Sequence, residues 1–178
     1  MGEKSSLKFS EKMHFTPATG SIDLKFGDAR FYYDFTQWFA MAGGCRFLWS
    51  RQDYGWLQET RPMIYGILST EINNFDLDFS NRISYRMLNK ENNHFRYWQK
   101  IVIDFPEISE PRMQFYTAFE SFCKLNRENI HMFRLYAGLK TIQKEHFEMK
   151  VYYAYQKNKN FSSWKTTDVI GINFDIEL

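Results

Sequence analysis

Residues 75–86 read FDLDFSNRISYR, with large apolar side chains at Phe75, Leu77, Phe79, Ile83 and Tyr85. Asp76, Asp78, Ser80, Arg82, Ser84 and Arg86 fill the positions of opposite parity. A period of two predicts a β-strand with one apolar and one charged face. The pattern recurs along the chain. Leu7, Phe9, Met13 and Phe15 alternate with Lys8, Ser10, Lys12 and His14. Ile22, Leu24 and Phe26 continue it, and Phe31, Tyr33 and Phe35 resume it out of phase, which predicts a bulge at Gly27–Asp28. Further strands are predicted around Phe39–Trp49, residues 60–71 (with weaker patterning), Phe95–Phe105, Met113–Phe119, Phe133–Leu139, Phe147–Tyr155 and Ile170–Leu178.

An amphipathic helix over 128–157 would need apolar residues three and four apart, and here they recur every second position in two runs. The count is therefore about ten strands, each near the ~9–11 residues that cross a bilayer at a tilt. Short connections are expected near 35–37, 72–74 and 143–145, with a longer Pro106–Pro111 turn. Mostly longer loops are expected at 16–20, 51–59, 88–93, 125–129 and 158–166. The fold class is all-β: a closed antiparallel up-and-down transmembrane β-barrel of about ten strands with short periplasmic turns. Residues 1–178 form one barrel domain in this reading, with both termini at the short-turn end.

Alternation does not say which face is inside. A soluble lipocalin-like ligand-binding barrel has the same period with its apolar side chains turned inward. Three features favour the inverted arrangement. The apolar face is bulky throughout, and a small barrel has little room inside. Aromatics expected near strand ends, namely Trp38, Trp49, Tyr54, Trp56, Tyr153, Tyr155 and Trp164, suit a membrane-interface girdle. Finally, the charged face pairs across strands. The expected register sets Arg96 opposite Glu120, Glu120 opposite Arg134, and Lys140 opposite Glu148, with Arg82, Arg86, Lys100 and Asp104 close by. These residues are read as a charge ladder inside the barrel.

Composition narrows the classes. The 178 residues carry a net charge of +2, which gives no strong field for nucleic acid. Aromatics reach 19% while mean hydropathy is only −0.53, a combination that fine alternation produces. No apolar run approaches the ~20 residues of a spanning helix. The first ten residues, MGEKSSLKFS, lack the apolar centre of a secretory signal, so either the chain is not exported or it is a mature chain with an added start, and the barrel pattern favours the second. Cys45 and Cys123 are read as unpaired apolar-face residues. His14, His94, His131 and His146 are too scattered to suggest a metal site, and no cofactor is expected.

The segments FSNRISYRML, HFRYWQKIVIDFP, QFYTAFESF and MFRLYAGLKT resemble the domain-of-unknown-function family 2490 of bacterial outer-membrane barrels. The matching positions are Arg82 and Arg86, Arg96 to Pro106, Tyr116, Glu120 and Phe122, and Arg134, Gly138 and Leu139. GGCRFLW (43–49) looks like that family's Gly-Tyr-Arg strand, with Cys45 in place of an aromatic. The resemblance covers residues 38–178. It implies export to the outer membrane and a missing signal peptide, and it brings no known activity. Ile172, Phe174, Ile176 and Leu178 keep the alternation to the last residue, as in strands read by the outer-membrane assembly machinery.

Function is less legible. The favoured reading is a non-catalytic outer-membrane barrel with a charged, plugged lumen, acting as a structural or accessory envelope protein or a narrow pore. Its expected partners are outer-membrane lipid, the assembly machinery and other envelope proteins. A barrel enzyme would place Asp53, His94 and Asp168 at a loop-side rim, or use Ser162 or Ser163 as nucleophile, but no partner residue adjoins them in sequence. The segments RQDYGWLQE and NKNFSSWK, read as loops, each offer a tryptophan to a partner, a glycan or the membrane interface.

Overall fold

The computed structural model describes residues 4–16, 20–52, 55–89, 92–108, 113–125, 130–144, 147–160 and 163–178. Every regular element among them is a strand: β1 (Ser5–Thr16), β2 (Ser21–Asp34), β3 (Phe39–Gln52), β4 (Gly55–Ile72), β5 (Phe75–Leu88), β6 (His94–Asp104), β7 (Gln114–Lys124), β8 (Ile130–Lys144), β9 (Phe147–Asn160) and β10 (Ser163–Glu177). Each strand pairs antiparallel with the next, and β1 pairs with β10 from Lys8↔Glu177 to Phe15↔Ile170. The cylinder is closed, so no sheet edge is left to aggregate. At the seam, the Leu7 and Leu178 amides each donate to the other residue's carbonyl at 2.8 Å.

The connections differ from the expected asymmetry. β3 ends at Gln52 and β4 begins at Gly55, while β9 ends at Asn160 and β10 begins at Ser163. Most of RQDYGWLQE and NKNFSSWK is thus strand, and Trp56 and Trp164 stand on β4 and β10. Near a rim both faces are polar, so the alternation fades while the ladder continues. The longest gap, between Asp104 and Gln114, lies at the end that carries the termini. At that same end β4 turns into β5 through Asn73 and Asn74 with φ of 51° and 67°. Two consecutive positive φ values are those of the tight hairpin turn that asparagine tolerates.

The expected bulge at Gly27–Asp28 is displaced. Gly27 and Asp28 pair without interruption with Glu11 and Ser10 on one side and with Phe47 and Arg46 on the other. The slip falls at Asp23, because Phe15 pairs with Ile22 and His14 with Leu24. Ile22 is therefore outside, while Leu24 and Phe26 turn inward. Two more bulges set aside His131 opposite Phe122/Cys123 and Thr141 opposite the start of β9.

The outer face is apolar and uncovered. Phe31, Phe47, Ile64, Ile83, Phe95 and Phe115 are each more than half exposed. Burying one such side chain gains about 1.5–3 kcal/mol, and this protein buries none of them against itself. Exceptions on this face are few. Glu11 is exposed on β1, and Lys25 lies 5.9 and 5.5 Å above the Trp49 and Trp56 rings. Asn81 Oδ1 accepts bonds from Tyr97 Oη at 2.6 Å and Gln99 Nε2 at 3.3 Å. The core is the inside of the barrel. One cluster joins Ala42, Met63, Tyr65, Trp98, Phe122 and Met132. A second joins Tyr116, Ala118, Tyr136, Tyr152, Ala154 and Val169.

Candidate functional site

The inward face encloses a cavity of about 680 Å³. Its lining reaches Ser6, Asp34 and Glu177 at the end bearing the termini, and His14, Arg61 and Arg96 toward the other. Strand geometry explains how charge is concentrated there. Residues two apart on one strand share a face, so Asp28 with Arg30, and Glu59 with Arg61, are built as adjacent inward pairs.

Six carboxylates organise the lumen. Asp28 accepts Arg30 Nε at 2.8 Å and Arg46 Nε at 2.8 Å, with a second contact from the Arg46 guanidinium. Ser10 lies between Arg30 and Asp175 and bonds to both. Glu59 holds Arg61 at 2.5 Å on its own strand and receives Arg86 from β5 through two contacts, at 2.8 and 2.6 Å. Glu120 accepts Tyr136 Oη at 2.7 Å and lies 3.6 Å from Arg134. Toward the termini, Lys140 bridges Asp104 (2.7 Å) and Glu148 (3.6 Å), and Lys150 bridges Glu148 (2.6 Å) and Asp175 (3.6 Å).

Other cations lie on aromatic faces instead. The Arg82 guanidinium is 4.4 Å from the Trp98 ring centre and 5.5 Å from that of Tyr65. Arg96 is 4.5 Å from Phe122. Lys12 Nζ is 4.5 and 5.2 Å from the Tyr152 and Tyr136 rings. Such contacts contribute about 2 kcal/mol or more when desolvated.

Of the expected charge ladder, Arg82, Arg96, Lys100, Asp104, Glu120, Arg134, Lys140 and Glu148 all line this cavity, and Arg86 is held by Glu59. The register departs from expectation in two places. Glu120 does face Arg134, but its neighbour on β6 is Lys100, and Arg96 stands opposite Lys124. The β6–β7 ladder is extended beyond Pro106 by an isolated Ile108–Met113 bridge, and that moves the centre of the hairpin. Lys140 stands opposite Lys150 because the β8–β9 ladder closes at Lys144↔Phe147, one bulge at Thr141 aside, and it reaches Glu148 diagonally.

The reading of the sequence missed Asp28, Arg30, Arg46, Glu59, Arg61 and Asp175. It also missed the inward aromatics Tyr65, Trp98, Tyr136 and Tyr152. Parity was the available signal: Glu59, Arg61, Met63 and Tyr65 share it, but their strand lacks a continuous apolar partner face.

Trp38, Trp56 and Trp164 are exposed, and Trp49 with Trp56 adjoins the β3–β4 connection. Tyr153 departs from the girdle expectation. It stands in the middle of β9, and its hydroxyl bonds to Asp168 on the outer face. Tyr155 is two residues further along. Ile172, Ile176 and Leu178 are exposed along the seam strand, and Phe174 stacks with Phe147.

Of the positions named for an enzyme, the described His94 and Asp168 are not brought together. His94 bonds to Arg86 (3.3 Å) and to the Asn92 carbonyl (3.1 Å), while Asp168 is on the outer face of β10. Asp53, Tyr54, His146 and Ser162 lie outside the described residues, and Ser163 opens β10. Among the described residues, no three His, Cys, Asp or Glu side chains are placed to hold a metal. Cys45 and Cys123 are free thiols on β3 and β7.

Two solved structures share this architecture. One is a bacterial polysaccharide outer membrane secretin, 7% identical with a TM-score of 0.55, where the match covers 87% of this chain. This chain spans 57% of the secretin's length. The other is the beta domain of the Bordetella autotransporter BrkA, 7% identical with a TM-score of 0.53, covering 97% of this chain and 98% of that one. At these identities the likeness establishes an outer-membrane barrel fold. No curated protein matches the chain by sequence. The family match begins well before residue 38, where the sequence resemblance was drawn, and stops short of the last strand's end. Its model covers residues 2–167, and the chain belongs to the protein family of unknown function DUF2490.

Proposed function

We propose that this chain is a non-catalytic barrel of the bacterial outer membrane, with structural or accessory work in the envelope and a lumen closed to solutes such as sugars. The observation that carries this reading is the dense lining of the lumen by paired charges and aromatic side chains. Buried ion pairs line its wall at Asp28, Glu59 and Glu120, and two clusters that include inward aromatic side chains narrow it further. Opening a continuous path means separating charges already desolvated together, which is costly. The uncovered apolar exterior supports a lipid environment. The end bearing both termini is then periplasmic, the exposed seam strand is the element offered to the assembly machinery, and the whole chain serves as one barrel domain.

Planar-bilayer recording on the refolded chain tests the closed lumen. The expected result is no stepwise current above the protein-free baseline in molar potassium chloride. Regular unitary steps would establish a pore and remove the closed-lumen reading. The excess of Arg and Lys along the wall would make such a pore anion-selective.

A further inference from the structure

Eleven Lys and Arg side chains line the lumen cavity against eight Asp and Glu. The excess is not spread evenly. Among the described residues, no carboxylate oxygen lies within 4.0 Å of a charged nitrogen of Lys12, Arg82, Arg96 or Lys100, although these come from three strands and line one cavity. Arg82 and Arg96 are only 3% and 8% exposed. Arg82 gives one bond to Tyr65 Oη at 3.3 Å, and Arg96 gives one to His131 Nε2 at 2.8 Å. The Nε–H of each is buried and finds no acceptor among the described residues. A desolvated guanidinium with unused donors is a costly arrangement unless an anion supplies the acceptors. Tyr65 and Trp98 flank the Arg82 guanidinium, and Phe122 lies against that of Arg96.

We infer that the lumen holds a binding site for a small oxyanion, formed by Lys12, Arg82, Arg96 and Lys100. The planar guanidinium forks suit a phosphate or carboxylate, and the two ammonium groups add charge without imposing a fixed geometry. The lining extends to Ser6, Asp34 and Glu177, so entry is from the end that bears the termini. The site goes beyond the closed-barrel reading, because a blind cavity can hold a ligand without passing it.

Titration calorimetry on the refolded chain in detergent micelles, at low chloride, tests this with sodium phosphate and, separately, sodium citrate. Saturable one-to-one binding of at least one of them is expected. Phosphate alone would assign a tetrahedral oxyanion, and citrate alone a polycarboxylate. Binding should weaken by about tenfold or more in Arg82→Gln and in Lys100→Gln, as the loss of one charge-assisted contact implies. Lys165→Gln, at an exposed position on β10, should bind like the parent. Lys100→Gln breaks no carboxylate contact within 4.0 Å, although Lys100 faces Glu120 across the β6–β7 ladder, so it keeps the test open should Arg82→Gln fail to fold. Absence of saturable heat with both anions overturns the site, and so does equal affinity in all variants. A chain that binds neither anion and conducts nothing loses only this inference. A chain that conducts and also binds loses only the closed lumen.

Discussion

Replacing Glu59 by alanine lowers the stability of the folded barrel by about 3–5 kcal/mol, the cost of leaving buried charge uncompensated. Glu59 is 3% exposed and is the shared carboxylate of Arg61 and Arg86. Its removal leaves two guanidinium groups on neighbouring strands without a partner, since no other carboxylate among the described residues is in contact with either. Glu59→Gln keeps the volume and one acceptor and so loses less. Arg61→Ala loses less again, because Arg86 still satisfies both oxygens of Glu59. Urea unfolding in micelles, followed by the mobility difference between folded and unfolded barrel on unheated gels, gives the midpoints. If Glu59→Ala unfolds within about 0.5 kcal/mol of the parent, as an ordinary surface change would, the ion cluster is not holding the barrel together.

The second large effect needs no charge. Gly44→Ala is expected to cost about 1–3 kcal/mol or more, the range for forcing extra volume into packed space. A Cβ at this position would lie 2.2 Å from the Ala29 carbonyl oxygen and 2.9 Å from Arg30 Cα. Both are backbone atoms of the adjoining strand, so relief requires moving β2 and with it the Arg30–Asp28–Arg46 cluster. Gly43 provides the comparison within the same strand. Nothing lies within 4 Å of a Cβ there, and Gly43→Ala should be neutral or stabilising, since glycine in a strand carries an entropic cost. Equal unfolding midpoints for the two variants would show that β2 and β3 are not in contact at Gly44 as described.

The barrel was legible because its signal is redundant. Each of ten segments repeats the same period, and a closed antiparallel order needs only consecutive pairing. What parity cannot encode is a slip. Asp23 and Thr141 look like ordinary strand residues, yet each reverses or displaces the partners that follow, which is why Leu24 and Phe26 proved to be inside. The lumen was half legible for a related reason. Arg82 and Arg86 stand on a strand whose other face is plainly apolar, and their direction follows from that. Glu59 and Arg61 face Gln58, Thr60 and Pro62 across the strand, and no contrast marks which side is inward. The inward aromatics were hidden by their own chemistry, since Tyr65, Trp98 and Tyr152 suit lipid as readily as a cation.

The seam between β1 and β10 has a consequence for biogenesis. Ser10 and Asp175 meet across 165 residues of sequence, so the first strand lacks one of its two neighbours until the final strand has been synthesised. Until then the nascent protein presents two open hydrogen-bonding margins and a broad greasy surface to any water around it. Such a high contact order makes folding slow and leaves time for misassociation. A holding chaperone, or a template that occupies the first margin and surrenders it to the last strand, would remove that hazard.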